Sequence, residues 1–165
     1  MSTALFNDAP VLRIDGPCIA DLKARARRSP TRRFRLCLHG DPSAPVQEMV
    51  VVHCRDNYSR PHDHDRPVTV LVLEGELRIL LFDDQGRVTD SIELGAAGGG
   101  KAVAAHLQAR TWYMPVCTTS EVVFFEVKAG PFERDVANRW APWSPAEDDL
   151  AAIAAYRRRL GLTDV

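Results

Sequence analysis

The chain has 165 residues, of which 45% are hydrophobic and 26% charged, and a formal net charge of −1. That length and composition fit one globular domain with a real core and exclude general disorder. A net charge near zero argues against nucleic acid as the main partner, and no apolar run reaches the length of a membrane-spanning helix. The opening residues, MSTALFNDAP, lack a basic stretch followed by an apolar core, so no secretory leader is expected. Four cysteines, Cys18, Cys37, Cys54 and Cys117, include no pair at CxxC spacing. Cys37 and Cys54 fall in apolar, strand-like segments, where a free thiol behaves as a small hydrophobe. A reduced, cytoplasmic protein is expected. Basic clusters from Lys23 to Arg35 and at Arg157-Arg158-Arg159 read as solvated helix faces.

Residues 1–16 read as an irregular arm. From Pro17 to Arg28, Ile19, Leu22 and Ala26 recur at helical spacing, and Ser29-Pro30 stops the helix. The period then changes. Arg33 to Leu38 alternates in part like a strand, and Asp41 to Pro45 is a turn cluster. Val46 to Cys54 is rich in β-branched residues and reads as a strand. Val68 to Leu73 and Leu77 to Phe82 are strands joined tightly around Gly75. Asp83-Asp84-Gln85-Gly86 is a hairpin turn before the strand Val88 to Leu94. The glycine-rich stretch Gly95 to Gly100 reads as a mobile loop. It lacks the Gly-Lys-Ser/Thr ending of a phosphate-binding loop. Ala102 to Leu107, Thr111 to Val116 and Glu121 to Lys128 complete about eight strands, the pattern of a sandwich or barrel. Asn138 to Pro145 is a covering segment. Ser144 to Glu147 is expected to start a last helix through a capping box, with Leu150, Ile153, Ala154 and Leu160 as its apolar stripe and Gly161 as its stop.

The most informative motif is Pro61-His62-Asp63-His64, set just before the apolar run Val68 to Leu73. Histidines at i and i+2 of an extended segment point to one side of a sheet. Two neutral imidazoles converging on one point make a ready pair of metal ligands. Asp63 and Asp65 alternate with them and face the other way. Glu74 and Glu76 flank a tight turn and read as solvated. His39 and His53 lie at or near strand ends, and His106 lies near the second half of the motif series; a structural role is the expectation for each. Arg35 and Glu48 become pocket residues only if their strand faces point inward. No GxSxG nucleophile elbow occurs.

The segment Tyr58 to His64, followed by Val72-Leu73-Glu74-Gly75-Glu76-Leu77, resembles the first motif of cupins. It is most similar to the WbuC-type cupin-fold metalloproteins associated with O-antigen and surface-polysaccharide gene clusters. Arg35 to His39, Pro45 to Met49, Leu81 to Gly86, Phe125 to Phe132 and Trp140 to Trp143 resemble further pieces of that family, in order, from about Thr31 to about Glu147. The resemblance implies a mainly all-β fold, a cupin-type double-stranded β-helix (a jelly-roll barrel) with N- and C-terminal helices. It divides the single domain into an arm and helix at 1–30, a barrel at 31–132, and a covering segment and helix at 133–165. It also implies a homodimer, a small-molecule ligand, and a divalent metal such as zinc, nickel or iron.

Two of the family's usual ligand places are altered. The first-motif carboxylate falls on Val68 or Thr69, and the second-motif histidine falls on Tyr113. The resemblance therefore leaves His62, His64 and Tyr113 as the metal-ligand candidates. A phenolate can hold ferric iron, whereas zinc wants His, Cys or carboxylate donors. Tyr113 can equally serve as a phenol that hydrogen-bonds a bound anion or sugar. Three readings stay open. In one, the pocket holds a divalent metal and acts on a sugar or small carbonyl compound, in surface-polysaccharide or sugar metabolism. In the other, a metal-free binding or regulatory cupin uses the same pocket for a small molecule. A vestigial pocket in a structural dimer is a third.

Overall fold

Alternation of inward apolar and outward polar residues builds the strands, and residues 3–133 and 138–162 are described by the computed structural model. Parts of the expected covering segment and C-terminal helix, 134–137 and 163–165, lie outside the described residues. Strands β1 (Ala4–Phe6), β2 (Arg33–Cys37), β3 (Val46–Cys54), β5 (Val68–Glu74), β8 (Ala104–Leu107) and β10 (Glu121–Ala129) form one sheet in the order β1-β2-β3-β10-β5-β8. Strands β4 (His62–Asp63), β6 (Glu76–Phe82), β7 (Val88–Gly95), β9 (Trp112–Cys117) and β11 (Arg139–Trp140) form the other, in the order β11-β4-β9-β6-β7. The two sheets close over an apolar interior that includes Val68, Val70, Val72, Leu77, Ile79 and Leu94. This is the two-sheet jelly roll that the sequence resemblance implies.

Parity explains which residues meet inside. On β3, Gln47, Met49, Val51 and His53 face the interior. Val50, Val52 and Cys54 turn outward, under helix α1 (Gly16–Arg28). Leu22 and Ala26 of α1 pack there against Phe34 and Leu36 of β2. The helix starts where the Asp15 carboxylate accepts the Cys18 N–H at 3.1 Å, a side-chain cap on an otherwise orphaned donor. On the opposite wall, Ile153 and Tyr156 of helix α2 (Leu150–Arg159) cover the outward residues Leu80, Phe82, Trp112 and Met114.

Several local expectations change in the folded chain. The arm is not wholly irregular, because β1 pairs in parallel with β2, Ala4 opposite Arg35. Strands β4 and β11 are additional, two residues each and pairing His62 with Trp140. The last helix does not begin at Ser144. Its N-cap is Asp149, whose carboxylate accepts the Ala152 N–H at 2.9 Å. Ser144 instead donates to the Ala141 carbonyl at 2.8 Å and accepts from Arg60 Nε at 3.1 Å. Glu147 is held by a two-pronged bond from Arg33, at 2.8 and 3.1 Å. Tertiary partners have taken both halves of the apparent capping box. The buried stripe shifts accordingly: Tyr156 joins Ile153, while Leu150 is 77% exposed.

The chain passes from one sheet to the other at Gly75, between β5 and β6. Its φ is +74°, and a Cβ there would lie 2.3 Å from the Glu121 carbonyl oxygen. Only glycine fits, on conformational and steric grounds together. Gly75→Ala is expected to cost about 2–4 kcal/mol of stability. Urea unfolding followed by circular dichroism measures it; a loss indistinguishable from zero contradicts this packing.

Candidate functional site

At the end of the barrel between β2, β3, β10 and the short strands β4 and β11 lies a cavity of about 80 Å³. The cross-strand register assembles it. His62 is paired with Tyr113 on one side and Trp140 on the other. On the facing sheet, Arg33 is opposite His53, and Arg35 is opposite Val51, which is opposite Phe124. All of these line the cavity, with His64, Glu126, Lys128 and Asn138.

The fold places His62, His64 and Tyr113 side by side in this cavity. The His62 and His64 ring centroids are 5.0 Å apart, and the Tyr113 ring lies 4.5 Å from His62 and 5.8 Å from His64. His62 Nδ1 donates to the Arg60 carbonyl at 2.8 Å. A carbonyl only accepts, so the neutral ring carries its proton on Nδ1 and its lone pair on Nε2. His64 Nε2 is hydrogen-bonded to the Tyr113 hydroxyl at 2.9 Å. Burial first, and the nearby Glu126 second, hold the Tyr113 phenol well above its ordinary range, so it keeps its proton.

His53 is the site residue that its strand-end position concealed. It is buried, edge-on to Phe124 at 5.1 Å, and its Nδ1 has no hydrogen-bond partner among the described residues. The β3 parity that puts Met49 and Val51 inside was the available signal. Arg35 also faces inward, whereas Glu48 does not line the cavity. Lys128 and Trp140 lie in segments that carry the family resemblance but were not singled out as site residues, and Arg33 and Asn138 carry no motif.

The other candidates lie elsewhere. Thr69 Oγ1 and His106 Nδ1 bond each other at 2.9 Å on the exposed side of β5 and β8. His39 Nδ1 accepts the Glu48 N–H at 3.1 Å. Asp63 faces away from the histidines and is fully buried. It accepts both a close bond from Arg139 Nη2 and Arg139 Nε at 3.1 Å, with Arg110 at 3.6 Å. That ion pair ties β11 to β4 and so fixes Trp140 at the cavity. Glu74 and Glu76 are paired with Lys23 and Lys101 at the surface.

The fit to a metal can be tested on these donors. His62 offers one nitrogen lone pair. His64 Nε2 is engaged by a protonated phenol. Val68, at the carboxylate place, is an inward-facing member of the apolar core and has no donor. Directly opposite Val68 in the register stands Lys128, whose side chain is 9% exposed. Among the described residues, no group of three His, Cys, Asp or Glu side chains could hold a metal ion. Among the described residues, a divalent cation would therefore meet the His62 and His64 imidazoles and the Lys128 ammonium. The residues present do not fit it.

Burial also sets the charge of two of the cavity imidazoles. Burial lowers the His62 pKa to about 3, helped by His64, Lys128 and Arg33. Burial also lowers His53 to about 3, helped by Arg33, Arg35 and His62. Both rings are neutral when folded and take up a proton near the usual value of 6.5 when unfolded. The unfolded chain thus binds more protons as pH falls below 6.5, and stability declines from there toward pH 3. The expected loss is on the order of a few kcal/mol per ring across that window. Unfolding free energies measured from pH 7 to pH 5 should fall steadily in the parent and less steeply in His53→Phe. Equal slopes would mean that His53 is not a buried neutral ring.

Comparison with known proteins adds to this picture. A family model described as a domain of unknown function (DUF6016) matches residues 14–94, just under half of the chain. A search of curated proteins finds no match. Similar solved structures include a Shewanella oneidensis protein from a structural-genomics programme, at 12% identity and TM-score 0.52, covering 74% of this chain and 75% of that one. Oxalate decarboxylase from Bacillus subtilis is similar at 12% identity and TM-score 0.51, covering 66% of this chain but only 27% of the decarboxylase. An RmlC-like cupin family protein with a double-stranded β-helix fold, from Methanocaldococcus jannaschii, is similar at 17% identity and TM-score 0.43, covering 53% and 72%. At such identities a likeness speaks to fold and not to activity. No helix among the described residues is long and apolar enough to cross a membrane. Two packed, mainly antiparallel sheets and the likeness to the first two structures together give this chain a cupin-type double-stranded β-helix fold.

Proposed function

We propose that the protein is a metal-free cupin-fold binding protein whose barrel cavity takes a small polar molecule. One observation carries this reading. Three cavity residues each keep a buried polar atom without a hydrogen-bond partner among the described residues: His53 Nδ1, Arg33 Nε and Asn138 Oδ1. Buried polar groups are almost always satisfied, and leaving one unpaired costs about 1–3 kcal/mol. Three such atoms around one cavity fit an occupant that supplies the missing partners. The cavity is polar enough and large enough for on the order of half a dozen waters or a small ligand that displaces them. Arg33 and Lys128 beside His62 oppose a cation in the same space.

The second reading keeps a divalent ion on His62 and His64, with Tyr113 as third ligand. It is favoured by the His62 tautomer, since a backbone bond at Nδ1 is the usual way to present Nε2 to a metal. The sugar-metabolism link implied by the WbuC resemblance enters here as a choice of ligands to try.

One experiment separates the readings. The full chain, purified without an affinity tag, is incubated with zinc, nickel or ferrous iron, desalted, and assayed for metal. Substoichiometric metal is the expected result. One metal per chain that disappears in the His62→Ala/His64→Ala double variant would overturn the proposal. In parallel, small polyols, sugar acids and hydroxy acids are screened by thermal shift, where a ligand of the native state raises Tm by mass action.

A further inference from the structure

We propose that the cavity is selective for a small carboxylate, held directly by the Lys128 ammonium and the Arg35 guanidinium with no metal between. This rests on the small-molecule reading above and gives its ligand a charge and a size.

The argument begins with charge balance. Among the described residues, three cationic side chains, Arg33, Arg35 and Lys128, line the cavity against one carboxylate, Glu126. Arg33 already spends its fork on Glu147, at 2.8 and 3.1 Å. Glu126 meets Lys128 only at 3.7 Å, beyond the ~2.9 Å of a charge-assisted hydrogen bond. Arg35 makes no ion pair or side-chain hydrogen bond among the described residues. A lysine that is nine-tenths buried without a close acceptor is expensive. An excess of positive charge thus faces a small cavity walled by low-dielectric strands, where an anion is attracted far more strongly than in water.

Position sharpens the assignment. Lys128 stands across from Val68, so the ammonium occupies the neighbourhood in which the sequence resemblance expects a ligating carboxylate. The charge of the site is inverted: the protein provides the cation, and the ligand must provide the anion. Arg35 and Lys128, together with Met49, also line a second cavity of about 460 Å³ that reaches past Phe6 and Phe132. They therefore form the wall shared by the inner cavity and this outer one. The His53 and His62 rings and the Tyr113 hydroxyl then offer donors and acceptors to a hydroxyl or keto group on the same molecule. The inner volume limits that molecule to about two to four carbons.

The test uses the full chain and isothermal titration calorimetry at pH 7. Glycolate, lactate and pyruvate are compared with their neutral counterparts glycolamide and lactamide, and with glycerol. The acids are expected to bind about tenfold or more tightly than the amides, the signature of one charge-assisted contact. Arg35→Gln and Lys128→Met should each weaken the best acid about tenfold, and Lys128→Arg should recover part of the loss. Arg35 is half-exposed, so Arg35→Gln tests the proposal even if the buried Lys128 variant fails to fold. Amides that bind as tightly as acids, or a folded Arg35→Gln protein with unchanged acid affinity, would overturn the carboxylate assignment alone. Failure of every acid, amide and polyol to bind would overturn the small-molecule reading with it.

Discussion

Strand β10 is hydrogen-bonded along both edges, to β3 and to β5, and this double registry sets what the cavity contains. A strand fixed on both sides cannot slip by one residue without exchanging its two faces. Val122, Phe124, Glu126 and Lys128 are thereby committed to the interior, while Val123 and Phe125 are committed to the layer beneath α1. The same registry brings His53 beside Val122 and Lys128 beside Val68. The interior of the barrel is apolar at its centre and ionic at one end, and the transition runs along a single strand.

The ionic end has an internal logic. Imidazoles buried beside cations are forced neutral, because burial and like charge both oppose the protonated form. Neutral imidazoles donate and accept hydrogen bonds but bring no charge. A phenol held protonated does the same. Charge in the cavity therefore comes from Arg33, Arg35 and Lys128, with Glu126 as the partial counterweight. This is a polar recognition surface with a positive bias, built on strands whose neighbours hold them in place. The Arg139–Asp63 ion pair completes it from outside by pinning β11, and hence Trp140, against His62.

Much of the scaffold was legible in order along the chain. Val46–Cys54 and Glu121–Ala129 are β-branched and aromatic runs bounded by turn residues, and they form strands over nearly the expected ranges. The Pro17 region forms its helix because Ile19, Leu22 and Ala26 repeat at helical spacing and Asp15 can cap it. The apparent capping box at Ser144 misled because its two side chains find stronger partners, Arg60 and Arg33, that are distant in sequence. Strand β1 was invisible because three residues carry no period; only the edge of β2 makes them a strand.

For the site, the sequence by itself determined that His62 and His64 share a face, since an i, i+2 pair on extended backbone can do nothing else. The resemblance placed the usual donor positions at Val68 or Thr69 and at Tyr113, and side-chain identity there is local information. Tertiary structure alone decided that His53 joins them, that the Tyr113 hydroxyl engages His64, and that Lys128 stands where a carboxylate was expected. Those are facts of register and closure between segments tens of residues apart, and no local pattern encodes which strand will lie beside which.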